Sequence, residues 1–203
     1  MEKTDNEKEI FGYEKPFRYT AEWYTSGYRS DFTEDQFVDP GPGMYEARDR
    51  ECIDAMEIKD GDRVLVSGCD KGNNISLVRT MYDGLKITGF DWSSSAIDFC
   101  RRVFPDCVFA VACVDAFEYT YGQFDRVLAL DFTEHLSLLD YMNFLALCFN
   151  ALRPGGTVGI LPGLTKRPEH INLIYPMSIA QHLSQFGFKI AAVGQQWVVG
   201  EKR

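Results

Sequence analysis

The sequence predicts an α/β fold: a doubly wound, mostly parallel sheet of seven strands that ends in an antiparallel hairpin, preceded by an N-terminal helical cap. Three observations predict it. The apolar run Val64-Leu65-Val66 breaks into a glycine loop, Gly68-Cys69-Asp70-Lys71-Gly72, and the next run, Ile87-Thr88-Gly89-Phe90, ends on Asp91. In an open parallel sheet the first strand-to-helix turn brings bare backbone up to a nucleoside-type ligand, and an acid at the tip of the next strand takes the ribose hydroxyls. Second, from Arg63 onward short β-rich runs alternate with helix-period segments, as expected of a parallel sheet covered on both faces. Third, Phe188-Lys-Ile-Ala-Ala-Val193 and Gln196-Trp-Val-Val199 flank Gly194-Gln195, which reads as a hairpin with a two-residue turn.

The elements follow in order. Residues 1 to about 10 are polar and offer nothing to bury, so this segment is expected to fray. Phe11, Tyr13, Phe17, Tyr19, Trp23, Tyr24, Tyr28, Phe32, Phe37 and Tyr45 crowd the following stretch. They are read either as core for a helical extension or as a cap over a ligand pocket, and residues 1–45 are assigned to this cap. The Asp39-Pro-Gly-Pro-Gly43 cluster breaks the chain before a helix near 44–56, and residues 46–203 form the main domain. Strands are expected near 63–67, 86–91, 107–112, 124–130 and 157–161, with helices near 72–82, 94–104, 138–152 and 177–186. Ser93 to Ser95 supply N-caps for the second of these helices, and Arg153-Pro154-Gly155-Gly156 stops the long third one.

Composition narrows the function. The chain has 203 residues and a formal net charge of −9. No Lys/Arg block stands out, so the electrostatic field repels polyanions and nucleic acid is a poor partner. The six cysteines (Cys52, Cys69, Cys100, Cys107, Cys113 and Cys148) form no Cys-x-x-Cys pair and read mainly as small buried hydrophobes. No leader pattern and no membrane-length apolar run is evident, which gives the expectation of a soluble, reducing, cytoplasmic protein without a membrane partner.

With these residues in hand, the chain resembles a class I S-adenosylmethionine-dependent methyltransferase from about Val64 to the C-terminus. Five segments carry the resemblance in family order: VLVSGCDKG, GFDWSSSAIDFCRR, the pair Asp115-Ala116, FDRVLALDFTEHL and LRPGG. The resemblance implies a Rossmann-like sheet, S-adenosyl-L-methionine as cofactor with S-adenosyl-L-homocysteine as product, and a small-molecule acceptor. It places Gly68, Cys69 and Asp70 under the methionine part of the cofactor, with Gly72 letting the next helix pack close. Asp91 would accept both ribose hydroxyls, Trp92 would wall the adenine, Asp115 would receive the adenine amino group, and Ala116 would leave room for the ring. Asp131, at the end of the fourth strand, would face the point of transfer. Two departures stand out: Val66 occupies the usual place of an acid, and Asp70 that of the middle glycine. Arg48, Trp23 and Tyr24 are candidates to hold the cofactor's amino end instead.

Methyl transfer is an in-line displacement, so the protein positions the acceptor and, for a hydroxyl, removes its proton. His135, directly after Glu134, is the candidate general base or acceptor-orienting residue, with a helix-entry residue bonded to backbone as the bland alternative. His170 falls after the fifth strand, where related enzymes extend a loop toward the acceptor; His182 lies within a helix and reads as structural. Asp131, Glu134, His135 and His170 are also similar to an acid-acid-histidine cluster with which certain methyltransferases hold a divalent ion, although Asp131 is shorter than the glutamate found there. Two other readings remain: a non-catalytic methyltransferase-like binding or scaffold protein, and a nicotinamide-dependent oxidoreductase. The latter would need Gly-x-Gly-x-x-Gly, where this chain carries Asp70 and Asn73.

Overall fold

The computed structural model describes residues 46–167 and 169–203. The order of elements is α1 (Glu46–Ala55), β1 (Arg63–Ser67), α2 (Asn73–Met81), β2 (Lys86–Asp91), α3 (Ser94–Val103), β3 (Val108–Val111), β4 (Phe124–Leu130), α4 (Leu138–Ala151), β5 (Leu152–Leu161), α5 (Pro176–Gln185), β6 (Phe188–Val193) and β7 (Val198–Lys202). A single 3₁₀ turn, Thr133–His135, lies between β4 and α4. The cap assigned to residues 1–45, including Trp23 and Tyr24, lies outside the described residues.

The strands form one seven-stranded sheet in the order β3-β2-β1-β4-β5-β7-β6. The first five run parallel, and β7 pairs antiparallel with both β5 and β6. Chain order reverses between β1 and β4, which opens a crevice above their C-terminal ends. Side chains alternate between two cores. Leu65, Val127, Ala129, Val158 and Ile160 meet α4 and α5 on one face; Val64, Val66, Leu128, Leu130 and Leu161 meet α1, α2 and α3 on the other. This alternation explains why β4 is buried at every position.

Ser93 caps α3 by accepting from the Ala96 amide, and Ser137 caps α4 by accepting from Asp140. At the opposite end of the sheet from the crevice, Asp125 opens β4 as an ionic anchor. Its carboxylate accepts from the Arg63 amide and Nε, both at 2.9 Å, and from Arg153 Nε. These arginines hold the Asp125 carboxyl well below the usual carboxylate range, the Arg63 hydrogen bond being the largest cause.

Two boundaries differ from the sequence expectation. β5 starts at Leu152 rather than 157, because the Arg-Pro-Gly-Gly segment stays in the sheet through a register shift opposite Phe124 and Arg126. The final hairpin has a four-residue loop rather than a two-residue turn. Gly194 donates to the Trp197 carbonyl at 2.8 Å, and a Cβ at Gly194 would overlap the Trp197 indole folded over it. Packing of Trp197 therefore sets this loop.

Candidate functional site

The glycine loop is built at the crevice by an alternation of left-handed residues: Gly68, Asp70 and Gly72 have φ of 60°, 42° and 87°. Asp is among the few side-chain-bearing residues that adopt this conformation, so the departure at Asp70 is accommodated. A Cβ at Gly72 would run into the Phe104 ring, so the absence of a side chain lets α2 pack against the end of α3. The Cys100 thiol ties the loop down from α3, donating to the Asp70 carbonyl at 3.1 Å.

Asp91 ends β2 beside this loop and is only 5% exposed. One carboxylate oxygen accepts from the Asp70 amide at 3.0 Å and the other from the Ser93 amide at 2.8 Å. Burial pushes the carboxyl up to about 6, against the lowering effect of those two amides. The acid is thus fixed in place with each oxygen holding one backbone donor and keeping further lone-pair capacity. Trp92 follows it, half-buried, while Asp115 and Ala116 are exposed in the turn after β3, where the Ala116 amide bonds the Cys113 carbonyl at 3.1 Å.

Sequence reasoning did not find the aromatic wall between these groups. Phe117 stacks on Phe90 with centroids 4.6 Å apart, and Phe132 meets Phe90 edge-on at 6.0 Å. A Cβ at Gly68 would overlap the Phe132 ring, which places the residue after Asp131 directly against the glycine loop.

Asp131 has a left-handed φ of 49°. Its carboxylate is paired with the Arg48 guanidinium on α1. Glu134 is fully buried, and its carboxylate faces the backbone amides of Glu134 itself and Gly163, which act to lower its pKa. Burial, reinforced by the Asp131 charge, pushes this carboxyl up to about 7. Next to it, burial pushes the His135 imidazole down to about 4. His135 is therefore neutral at pH 7, and as a base it is mismatched to neutral pH, so orienting an acceptor suits it better than removing a proton.

The loop after β5 brings His170 to the same spot. The His135 and His170 rings are edge-to-face with centroids 4.9 Å apart, and the Asn172 amide clamps the two loops together by donating to the Glu134 carbonyl at 3.1 Å. Glu134, His135 and His170 form a group whose ligand atoms lie within 4.8 Å of one another; Asp131 is not part of it. His182 stands apart, 3.2 Å from the Tyr141 hydroxyl, in keeping with a structural role. The candidate site therefore has the buried Asp91 carboxylate at one end and the ionisable groups from Asp131 to His170 at the other.

Comparison with known proteins agrees with this fold. Residues 64–156 match the family model of the methyltransferase domain. The chain is 21% identical over 168 residues to sphingolipid C9-methyltransferase B of Emericella nidulans, covering 79% of this chain and 32% of that protein. It is 25% identical over 126 residues to trans-aconitate 2-methyltransferase of Paracidovorax citrulli, covering 59% of this chain and 46% of that one. The chain thus spans less than half the length of either curated relative. Among solved structures, a chain from the complex between the Haloferax volcanii Trm112 methyltransferase activator and a methyltransferase superposes with a TM-score of 0.70 at 15% identity, covering 89% of this chain and 96% of that one. The sheet order and the match over residues 64–156 agree on a methyltransferase-like fold for this part of the chain.

Proposed function

We propose that this protein transfers the methyl group of S-adenosylmethionine to a small-molecule acceptor held over Asp131, Glu134 and His135. The observation that carries the reading is Asp91: a buried carboxylate at the tip of β2, clamped by the amides of Asp70 and Ser93. A carboxylate so fixed is complementary to two vicinal hydroxyls. In this reading Trp92 and Ala116 bound the adenine, Asp115 takes its amino group, and Gly68, Cys69, Asp70 and Gly72 shape the floor under the methionine part. Val66 is buried in the core and supplies no acid, so the amino-acid end of the cofactor falls to the Arg48–Asp131 pair. The carboxylate would face Arg48 and the ammonium Asp131.

The sulfonium then points past Phe132 toward the Glu134, His135 and His170 group. The enzyme's contribution is alignment of the acceptor with the S–CH₃ bond and exclusion of water. His135, neutral at pH 7, orients the acceptor. Two features support a small molecule over nucleic acid: the net charge of −9, and relatives whose names specify a sphingolipid and trans-aconitate as their substrates. Among the described residues no helix is long and apolar enough to cross a membrane.

The test is release of S-adenosylhomocysteine by the full chain across low-molecular-weight acceptors grouped by oxygen, nitrogen, sulfur and carbon nucleophile. Turnover with one class, reduced at least tenfold in His135→Ala at unchanged cofactor affinity, is expected. Tight cofactor binding without turnover on any class would instead favour a non-catalytic binding protein.

A further inference from the structure

We propose that the Phe132 ring receives the sulfonium of S-adenosylmethionine on its π surface and thereby distinguishes the charged cofactor from its neutral product. The inference rests on the methyl-transfer reading above and names the residue that reads the cofactor's charge.

The first observation is where the ring sits. Phe132 directly follows Asp131 at the crevice end of β4, and it lies against the glycine loop, because a Cβ at Gly68 would overlap its Cδ2 and Cε2 atoms. In the methyl-transfer reading the methionine part of the cofactor runs over that bare backbone. The ring is therefore beside the path of the sulfur.

The second observation is how the ring is held. Phe144 meets it at 77° with centroids 5.2 Å apart, and Phe90 meets it at 89° with centroids 6.0 Å apart. Both of those rings are buried in the core, whereas Phe132 is only partly buried. The surface it keeps faces the crevice between Gly68 and the Asp131–Arg48 pair. Two edge-to-face contacts fix its orientation before any ligand arrives.

The third observation is the charge around it. A sulfonium leaving water needs compensation for its lost hydration. The carboxylates of the crevice have other partners. Asp91 holds the amides of Asp70 and Ser93 at the far end, the Asp70 charge acts on Asp91, and Asp131 is paired with Arg48. Glu134 is pushed up to about 7 and carries only part of a charge at neutral pH. Val66 is fully buried and apolar. The negative face of an aromatic ring supplies the missing compensation without a formal charge.

A desolvated cation–π contact corresponds to about five- to thirtyfold in affinity. S-Adenosylhomocysteine has a neutral thioether at this point and keeps only the van der Waals contact. The ring thus favours binding of the charged cofactor over retention of the product.

The full chain is titrated by calorimetry with S-adenosylmethionine, S-adenosylhomocysteine and sinefungin, whose protonated amine stands in place of the sulfonium. Wild type is compared with Phe132→Leu and with protein in which Phe132 is replaced by pentafluorophenylalanine, a ring of similar shape whose quadrupole is reversed. The expected result is a loss of about five- to thirtyfold for the two cationic ligands in both variants, with S-adenosylhomocysteine affinity changed by less than about threefold. Equal losses for all three ligands would reduce the ring to a packing role and overturn the proposal. Unchanged affinity for the two cations would overturn it as well. Should Phe132→Leu fail to fold, the fluorinated ring, which keeps the volume, decides alone. A wild-type chain that binds none of the three would overturn the methyl-transfer reading and this proposal with it, whereas binding of all three by wild type leaves that reading standing whatever the variants do.

Discussion

Replacing Asp91 by alanine is expected to weaken S-adenosylmethionine binding by two to four orders of magnitude. The carboxylate is 5% exposed and already holds the amides of Asp70 and Ser93 at 3.0 and 2.8 Å. It would receive two ribose hydroxyls, and hydrogen bonds to a charged group contribute about 1.5–3 kcal/mol each. Their sum is about 3–6 kcal/mol, and every 1.4 kcal/mol is tenfold in affinity. The same substitution orphans two loop amides, so the variant is less stable by about 2 kcal/mol or more unless water replaces the carboxylate. Binding should also depend on pH. Burial raises the Asp91 carboxyl to about 6 in the free protein. Hydroxyl donors prefer the ionised form, so the bound-state value lies lower. Affinity is then constant above about pH 6 and falls by up to about tenfold per unit below it, until the bound-state value is reached. The assay is calorimetric titration with S-adenosylmethionine and S-adenosylhomocysteine between pH 7.5 and 5, with folding checked by circular dichroism. A folded Asp91→Ala protein binding within threefold of wild type at pH 7.5 would refute the assignment, as would an affinity flat across this range.

Three further outcomes follow from other parts of the molecule. Arg48→Ala should lower affinity for S-adenosylmethionine about tenfold, the loss of one charge-assisted contact, while 5′-methylthioadenosine, which lacks the amino-acid end, binds as before; equal losses for both ligands would place Arg48 elsewhere. Gly68→Ala puts a side chain at φ 60° and into the Phe132 ring, so stability should fall by about 1–3 kcal/mol and cofactor affinity with it, and an unchanged urea midpoint would contradict this. Asp125→Asn should cost about 1–3 kcal/mol at pH 7. Because the folded-state carboxyl is held below its unfolded value, that contribution is complete above about pH 4 and is lost as pH falls through the depressed value, so the urea curves of wild type and variant should converge on acidification; a constant gap would show that the ion pairs are not its source.

The strands that position the site were legible because β1, β2 and β4 are short apolar runs bounded by polar residues or glycine, and Arg63–Ser67, Lys86–Asp91 and Phe124–Leu130 appear where those runs lie. Asp91 was legible for the same reason: strand-end position is a local property. The misplaced start of β5 and the longer final hairpin loop have non-local causes. Pro154 and the two glycines after it read as a stop, but pairing with β4 across a register shift keeps them in the sheet. Gly194-Gln195 reads as a tight turn, but the Trp197 indole, whose Nε1 donates to Glu51 at 3.4 Å, enlarges the loop. The Asp131–Arg48 pair joins residues far apart in the chain, and no local pattern announces that Asp131 turns to Arg48 and leaves Glu134 with the histidines. Gly163 gave no signal at all, because its importance lies in what its missing Cβ would strike, the Glu134 carboxylate.

The most direct test of the central claim is the crystal structure of the full chain with S-adenosylhomocysteine bound. The account predicts both ribose hydroxyls within hydrogen-bond distance of the Asp91 carboxylate, adenine beside Trp92 and Ala116, and the sulfur directed past Phe132 toward Glu134, His135 and His170. A nucleoside bound away from Asp91, or a sulfur facing away from that group, would contradict it.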